Sequence, residues 1–228
     1  LGKGIDDPTA TMRFSITEFG LHAMILSGAS GTTYIDTYTS DLNNYIVYNR
    51  SNLLRTNGFE CGFDEMNHDI FKSEMNDELN RASDGNFRVY RLAMACTGEY
   101  AAFHGGTVAG AQAAIVVTVN RVNSIYERDF AARLTLVANN NLIIYTDGAT
   151  DPYTNNNGGA MLGENQSNVT SVIGTANYDI GHVVSTNGGG VAGLGVVCNN
   201  TQKARGVTGT SSPVGDPFDI DEDYLVSV

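Results

Sequence analysis

The chain has 228 residues, of which 42% are hydrophobic and 17% are charged, so it can bury a core in one large or two small domains. Its formal net charge is −12 and its pI is about 4.5. Because no basic patch exists to displace counterions, this composition argues against nucleic acid or an anionic membrane as a partner. No apolar run reaches membrane-spanning length and the first residues lack the shape of a signal peptide, so we expect any targeting segment to lie upstream or to have been removed.

The first fifty residues are predicted to form a small β-rich unit. Apolar and polar residues alternate from Met12 to Ile16 and again from Leu21 to Ile25, which predicts a hairpin. Two further strands are predicted at 33–36 and 45–48. The lone His22 is expected to be a half-buried, hydrogen-bonded side chain rather than a metal ligand.

Residues 52–86 are predicted to be a linker that holds one helix. Asn, Asp, Glu and Ser dominate the segment, and Phe71, Met75 and Leu79 recur at helical spacing. His68 lies beside three acidic residues, a pattern that is more typical of a solvated charged helix face than of a metal cluster.

From Phe87 onward, strands and helices alternate. Arg88–Ala95 is predicted to be a central strand covered on both faces. A continuous apolar stripe after Thr107 predicts a long helix with that threonine as its N-cap. The remaining elements are predicted in the order strand, Asn turn, strand and helix, at 133–138, 139–141, 142–145 and 159–174.

The stretch from Tyr178 to Asp221 contains two β-type runs, Ile180–Ser185 and Val191–Val197, on either side of three glycines at 188–190. This pattern predicts a hairpin. The Gly-rich second run is typical of a sheet edge, where free N–H and C=O groups can accept an extended peptide. On residue types alone, a solvated surface hairpin is the commoner meaning of the same pattern.

The sequence offers no convincing motif for a common cofactor site or a catalytic nucleophile. Gly188, Gly190 and Gly193 satisfy GxGxxG, but a β-run follows them where a dinucleotide site needs a helix. The sequence contains no phosphate-binding P-loop, no GxSxG and no pair of histidines four residues apart. Three cysteines, Cys61, Cys96 and Cys198, are too few for a disulfide scaffold and too far apart for a zinc ribbon.

A family resemblance lies in the order of several phrases. GHVVST, GGGVAGLGVVCN, KARGVTG and SSPVGDPFDID, preceded by FRVYRLAMACTGEY, are similar to the segment before the zinc helix of reprolysin-like (adamalysin-type) metallopeptidases of the metzincin clan, bacterial secreted branch. GLHAMIL, TYIDTY and NNYIVY resemble the end of the propeptide in those enzymes. The resemblance covers about Phe14 to Asp221 and leaves the linker unclear.

The resemblance implies an α/β fold, with a mixed, mostly parallel twisted sheet, two helices and an antiparallel edge strand, after a small β-rich propeptide unit. It implies three regions, namely a propeptide tail at 1–51, the linker at 52–86 and an N-terminal metallopeptidase subdomain at 87–228. In the family the Gly-rich edge strand lines the substrate cleft. The implied substrate-binding residues are Gly190, Val191, Ala192, Gly193 and Leu194.

The expected catalytic motif does not appear in the sequence. In the family the chain next enters a helix carrying HExxHxxGxxH, whereas these residues run from Glu222 to Val228 without it. We therefore expect the 228 residues to bind no stoichiometric catalytic zinc and to hydrolyse no peptide. The parent would be a secreted zinc-dependent metalloendopeptidase that acts on peptides or proteins. The alternative is a non-catalytic module that binds itself or a partner through exposed sheet edges.

Two possible metal-binding roles, one for a cysteine and one for acidic residues, have less support than the fold does. The resemblance implies that Cys61 is a latency thiolate for the parent's zinc, while a packed or disulfide-bonded cysteine is equally open. Asp147 with Asp151, and the acidic run 216–223, contain oxygen ligands suited to Ca²⁺. A solvated acidic tail is the commoner meaning of such a run. Low lysine content, abundant Asn, Gly and Thr, and Asn-x-Ser/Thr triplets favour a secreted protein, although the triplets would mean little in a bacterium.

Overall fold

The computed structural model describes residues 1–53, the main chain of 61–63, and residues 85–210. These residues form two β-sheets and three α-helices. Within them, no helix combines the length and the apolar character needed to cross a membrane. The predictions for His68, for the helix with Phe71 and for the acidic run 216–223 concern residues outside the described ranges.

The N-terminal sheet is an antiparallel meander of five strands, each paired with the next. Its strands are β1 (Gly2–Lys3), β2 (Thr11–Thr17), β3 (Gly20–Ser27), β4 (Gly31–Thr37) and β5 (Tyr45–Asn49). The predicted hairpin and the two further strands are therefore confirmed. The sheet is the expected β-rich unit before the larger sheet.

The second sheet has six strands in the order β6-β10-β11-β9-β7-β8. Its strands are β6 (Cys61–Phe63), β7 (Arg88–Cys96), β8 (Ala132–Leu136), β9 (Ile180–Ser185), β10 (Gly190–Ala192) and β11 (Gly206–Gly209). Only β10 with β11 is an antiparallel pair, and the other four pairs are parallel. This mixed, mostly parallel sheet confirms the expected fold class.

Helices cover both faces of the central strand β7. The helices are α1 (Gly98–Phe103), α2 (Val108–Asp129) and α3 (Gly158–Val172). On one face, Leu92 and Met94 pack in a core with Ile115 of α2. On the other face, Ala93 packs in a core with Met161 of α3. Burial on both faces explains the continuous apolar run of β7.

The helix predictions hold with one omission. Thr107 is the N-cap of α2, because its side chain accepts a hydrogen bond from the amide of Gly110. Helix α3 begins and ends within two residues of its predicted bounds. Helix α1 was not predicted, since six residues carry little periodic signal.

The strand predicted at 142–145, with its Asn turn, is wrong. Residues Asn140–Ile143 form a 3₁₀ turn instead. Asn140 is buried, and its side chain bonds to both main-chain groups of Met94, accepting from N at 2.7 Å and donating to O at 2.9 Å. A side-chain amide thus occupies the place beside β7 that a strand would fill.

The predicted hairpin of β9 with β10 is also wrong. The two strands are not paired, because β11 lies between them, parallel to β9 and antiparallel to β10. The close approach of β11 requires glycine at position 206, since a Cβ there would lie 2.4 Å from Nδ1 of His182. Local turn chemistry predicted the reversal at 188–190 but not the strand that enters from twenty residues further along the chain.

Candidate functional site

Strand β10 presents alternate main-chain groups to opposite sides. Its register with β11 pairs Val191 with Val207, and two bonds flank this pair, from Gly193 N to Arg205 O and from Gly209 N to Gly189 O. Because an antiparallel ladder alternates, the main-chain groups of Val191 face β11, whereas those of Gly190 and Ala192 face away from it. The outward groups are the ones that could receive another strand.

Strand β6 lies along this outward side. Its register is parallel, with Gly190 opposite Cys61, Val191 opposite Gly62 and Ala192 opposite Phe63. Parallel ladder geometry places the amide of Gly62 against the carbonyl of Gly190, and the carbonyl of Gly62 against the amide of Ala192. In this chain the outer edge of β10 is therefore already paired with a segment from upstream.

The prediction that Val191–Val197 forms a strand at the rim of the sheet is thus wrong in two respects. The rim strand among the described residues is β6, and β10 is bonded on both sides. Strand β10 also stops at Ala192, and Leu194 lies in an exposed turn. The chain turns back because Cys198 adopts a φ of 62° and its amide donates to the carbonyl of Asp179, just before β9.

The loop that leads into β10 is held by buried contacts. Asn155 accepts hydrogen bonds from the hydroxyl of Thr97 at 3.0 Å and from the amide of Thr186 at 3.2 Å. Gly188 has a φ of 90°, and a Cβ there would lie 2.7 Å from the side chain of Met161. These contacts fix the direction in which β10 leaves the loop. Asn155 was not predicted, since nothing distinguishes it in its Asn-rich surroundings.

The five predicted substrate-binding residues occupy different positions. Gly190 and Ala192 present main-chain groups to the outer edge, while Val191 faces β11 and is half-buried. Gly193 uses its amide to bond Arg205, and Leu194 lies beyond the strand. The structure thus brings Gly190 and Ala192 together with Gly62, a residue for which the sequence offered no strand signal.

The described histidines lie away from β10's outer edge, and two of them, His22 and His104, line one cavity. The predicted hydrogen bond of His22 is confirmed, with Nδ1 2.7 Å from Oδ1 of Asp36, but the side chain is fully buried and not half-buried as predicted. Burial lowers the pKa of His104 to about 4 and that of His182 to about 3. His182 contacts the hydroxyl of Thr208 at 2.8 Å. Both rings are neutral at pH 7 and serve packing.

The described residues do not fit a zinc site. Across the described ranges, no group of three His, Cys, Asp or Glu side chains is arranged to hold a metal ion. Cys96 is buried in the core, where burial raises the pKa of its thiol to about 12, and Cys198 is exposed. Only the main chain of Cys61 is described, so its role as a thiolate ligand stays a prediction.

The carboxylates proposed for calcium are engaged with the protein itself. Asp147 accepts from the amide of Ala149 and the hydroxyl of Thr150. Asp151 accepts from the amides of Gly98 and Tyr153 at 2.6 and 2.8 Å. Both groups therefore stabilise the turn before α3, and calcium binding stays a prediction.

A cavity of about 670 Å³ lies elsewhere, between the N-terminal sheet and the end of α1. Its lining includes Phe19, Thr37, Leu42 and Phe103. None of these residues belongs to β10 or to the loops beside it, so the cavity is not part of the peptide-accepting edge.

The fold and the edge together define an α/β domain with an antiparallel strand, β10, that receives an extended segment. A family model for the metallo-peptidase family M12B, reprolysin-like, matches residues 86–223, more than half of the chain. The chain therefore belongs to the reprolysin-like M12B metallopeptidase family, whose members are in general zinc-dependent and act on peptides or proteins. No curated protein matches the chain.

Proposed function

We propose that this chain comprises the propeptide tail and N-terminal subdomain of a secreted zinc-dependent metalloendopeptidase, and that the outer edge of β10 is its substrate-binding edge. The observation that carries the proposal is the pairing of Gly190 and Ala192 with an extended segment. Strand addition of this kind supplies affinity through main-chain bonds and needs no particular side chain. The composition, rich in Asn, Gly and Thr, supports secretion.

The strand that covers this edge gives the propeptide part of the proposal its mechanism. Cys61–Phe63 lies upstream of the matched family region and occupies the edge in parallel register. An extended substrate needs the same outward groups of β10, so it must displace β6 to bind. The segment therefore acts as an internal competitor of substrate, and Cys61 stands within it.

The chemistry of hydrolysis is not assigned to the described residues. In this family zinc activates a water molecule for attack on the peptide carbonyl. Among the described residues, no group of His, Cys, Asp or Glu is arranged as a set of zinc ligands, and the role proposed for these residues is to hold peptide. The expectations that the 228 residues bind no catalytic zinc and cleave no peptide remain predictions.

The proposal is tested by peptide binding to two proline variants of β10, because proline removes one main-chain N–H. Ala192→Pro removes an outward amide and should abolish binding of a fluorescent extended peptide, while the fold is kept. Gly62→Pro weakens the competitor and should raise affinity by about tenfold, since the edge is then free more often. Fluorescence anisotropy measures both effects.

The matched control is Val191→Pro, whose lost amide faces β11. It should lower the unfolding temperature more than Ala192→Pro does, because it breaks the inner ladder with β11, whereas Ala192→Pro breaks only the bond to Gly62 of β6. Peptide binding that is the same in Ala192→Pro as in the wild type would refute the proposed edge.

The alternative function, self-assembly through exposed sheet edges, receives less support from the large sheet. Its β10 edge is covered by β6, and at its other edge both main-chain groups of Leu134 bond to the side chain of Asn123 at 2.7 and 2.8 Å. Among the described residues, the outer edge of β10 and the main-chain groups of Leu134 in β8 are therefore already hydrogen-bonded within the chain.

A further inference from the structure

The outer face of the N-terminal sheet, which points away from helix α2, carries no charged residue. This outer face consists of the even-numbered residues of β2 and the odd-numbered residues of β3, β4 and β5. The strand registers align Phe14, Ala23, Ile35 and Val47 in one row across four strands. In a chain with a net charge of −12, a sheet face without any charge is a marked departure from the rest of the surface.

Four large side chains of the outer face are exposed, whereas Ala23 in the middle of the row is 2% exposed. Phe14 and Tyr45 are each 45% exposed, Val47 is 63% exposed and Ile16 is 74% exposed. Scattered apolar residues are normal on protein surfaces, but a contiguous apolar patch of this kind marks an interaction site.

The inner face of the same sheet is already covered. It packs on α2 through an apolar cluster of Met24, Leu26 and Tyr34 with Ile125, and through ion pairs such as Arg13 with Glu127 at 2.6 Å. An antiparallel sheet with one wet face normally places polar residues on that face. The open face departs from this pattern, because it carries exposed apolar side chains and no charge, which indicates that it is also covered in solution.

We propose that the outer face is a homodimer interface, in which two copies of the chain pack their N-terminal sheets face to face. A second copy of the chain supplies a partner surface that is equally apolar and equally free of charge. Because neither copy brings a charge to the contact, no buried charge is left unpaired and no like charges meet despite the net charge of each chain. A two-fold axis lets the same patch serve both copies, as in most homodimers.

The size of the face agrees with such a contact. Four strands about 4.8 Å apart, with a rise of about 3.4 Å per residue, give a face of roughly 20 by 20 Å in projection. Protruding side chains raise its accessible area to on the order of 600 Å², the lower limit per partner for a specific interface. The dimer is therefore expected to be reversible, with the two sheets about 10 Å apart as in a β-sandwich.

Sedimentation equilibrium of the full chain over a concentration series tests the proposal. We expect the wild type to dimerise by about 100 µM, since interfaces of this size give micromolar or tighter affinities. Val47→Lys places a charge in the contact and should weaken dimerisation by at least about tenfold. Ile16→Lys, on the same face, should do the same. Both side chains are exposed in one chain, so unfolding temperatures should change little.

The matched control is Ile46→Lys, which changes the adjacent residue of β5. Ile46 is 40% exposed, and its register opposite Asp36 places it on the inner face. It should leave dimerisation unchanged. Equal loss of dimer in Ile46→Lys and Val47→Lys would instead indicate pairing through the edge of β5 and would overturn the proposal. A wild type that stays monomeric would also overturn it, including one that binds neutral phosphatidylcholine vesicles.

Discussion

Asp36 joins the N-terminal sheet to helix α2 through three side chains. Nδ1 of His22 lies 2.7 Å from Oδ1, the hydroxyl of Tyr48 donates to Oδ2 at 2.6 Å, and Arg121 of α2 donates to Oδ1. Burial alone would raise the pKa of Asp36, but the bond to His22, the charge of Arg121 and the bond from Tyr48 outweigh it and lower the pKa. The ionised form therefore stabilises the folded chain.

At the residue scale we predict that Asp36→Asn lowers the free energy of unfolding by about 3 kcal/mol at pH 7, because it leaves the buried charge of Arg121 without its carboxylate. The stabilisation by Asp36 is fully present above the ordinary carboxyl pKa near 4 and is lost as pH falls through the lower folded-state pKa. The difference between wild type and variant should therefore shrink below about pH 4. Urea unfolding at pH 7 and at pH 3 measures both.

Tyr48→Phe is the matched control for this prediction, since it removes one hydrogen bond and no charge. It should cost about 2 kcal/mol, since the acceptor is an ionised carboxylate. If Asp36→Asn costs no more than Tyr48→Phe at pH 7, the buried ion pair does not anchor the sheet.

The sequence predicted His22 as a core residue but not its partners. A lone histidine in an alternating strand is usually buried and hydrogen-bonded, and this general tendency held. Arg121 is 85 residues from Asp36 in sequence, and nothing in the residue pattern of α2 marks it as part of a buried ion pair. Contacts of this range depend on how the sheet docks on the helix, which local patterns do not determine.

At the element scale, the pairing of β7 beyond the end of β8 is completed by a side chain and by a single parallel bridge between Cys96 and Ile144. Strand β8 ends at Leu136, opposite Leu92, and the Asn140 side chain takes over at Met94. The Asn-rich segment was predicted to be a turn between two strands, because Asn is common in left-handed turns. An Asn-rich turn and a buried Asn whose side chain bonds to a neighbouring strand look the same in the sequence. The sequence therefore could not distinguish these two structures.

We predict that Asn140→Ala lowers the free energy of unfolding by about 3 kcal/mol, because it leaves a buried N–H and a buried C=O of Met94 without their partner. Asn141→Ala is the matched control, since Asn141 is exposed, and it should change stability by less than about 0.5 kcal/mol. Thermal unfolding of both variants makes the comparison. Equal effects would mean that the bonds to Met94 do not support β7.

At the scale of the whole molecule, the large sheet depends on strands that meet across long stretches of sequence. Strands β7, β9 and helices α2 and α3 were predictable, since each carries a long apolar pattern. The insertion of β11 and the pairing of β6 were not, because four and three residues carry no usable period. That Gly190 and Ala192 form a substrate-binding edge stays a proposal, and the sequence did not reveal the segment that pairs with them.

The outer edge of β10 is covered by the chain's own residues Cys61–Phe63. Amide hydrogen exchange tests this pairing most directly, since exchange reports the opening of individual main-chain bonds. We expect the Ala192 amide to be protected in the wild type and to exchange at least about tenfold faster in Gly62→Pro, while the Val191 amide, bonded to β11, stays protected in both. An Ala192 amide that exchanges freely in the wild type, or that is unaffected by Gly62→Pro, would contradict it.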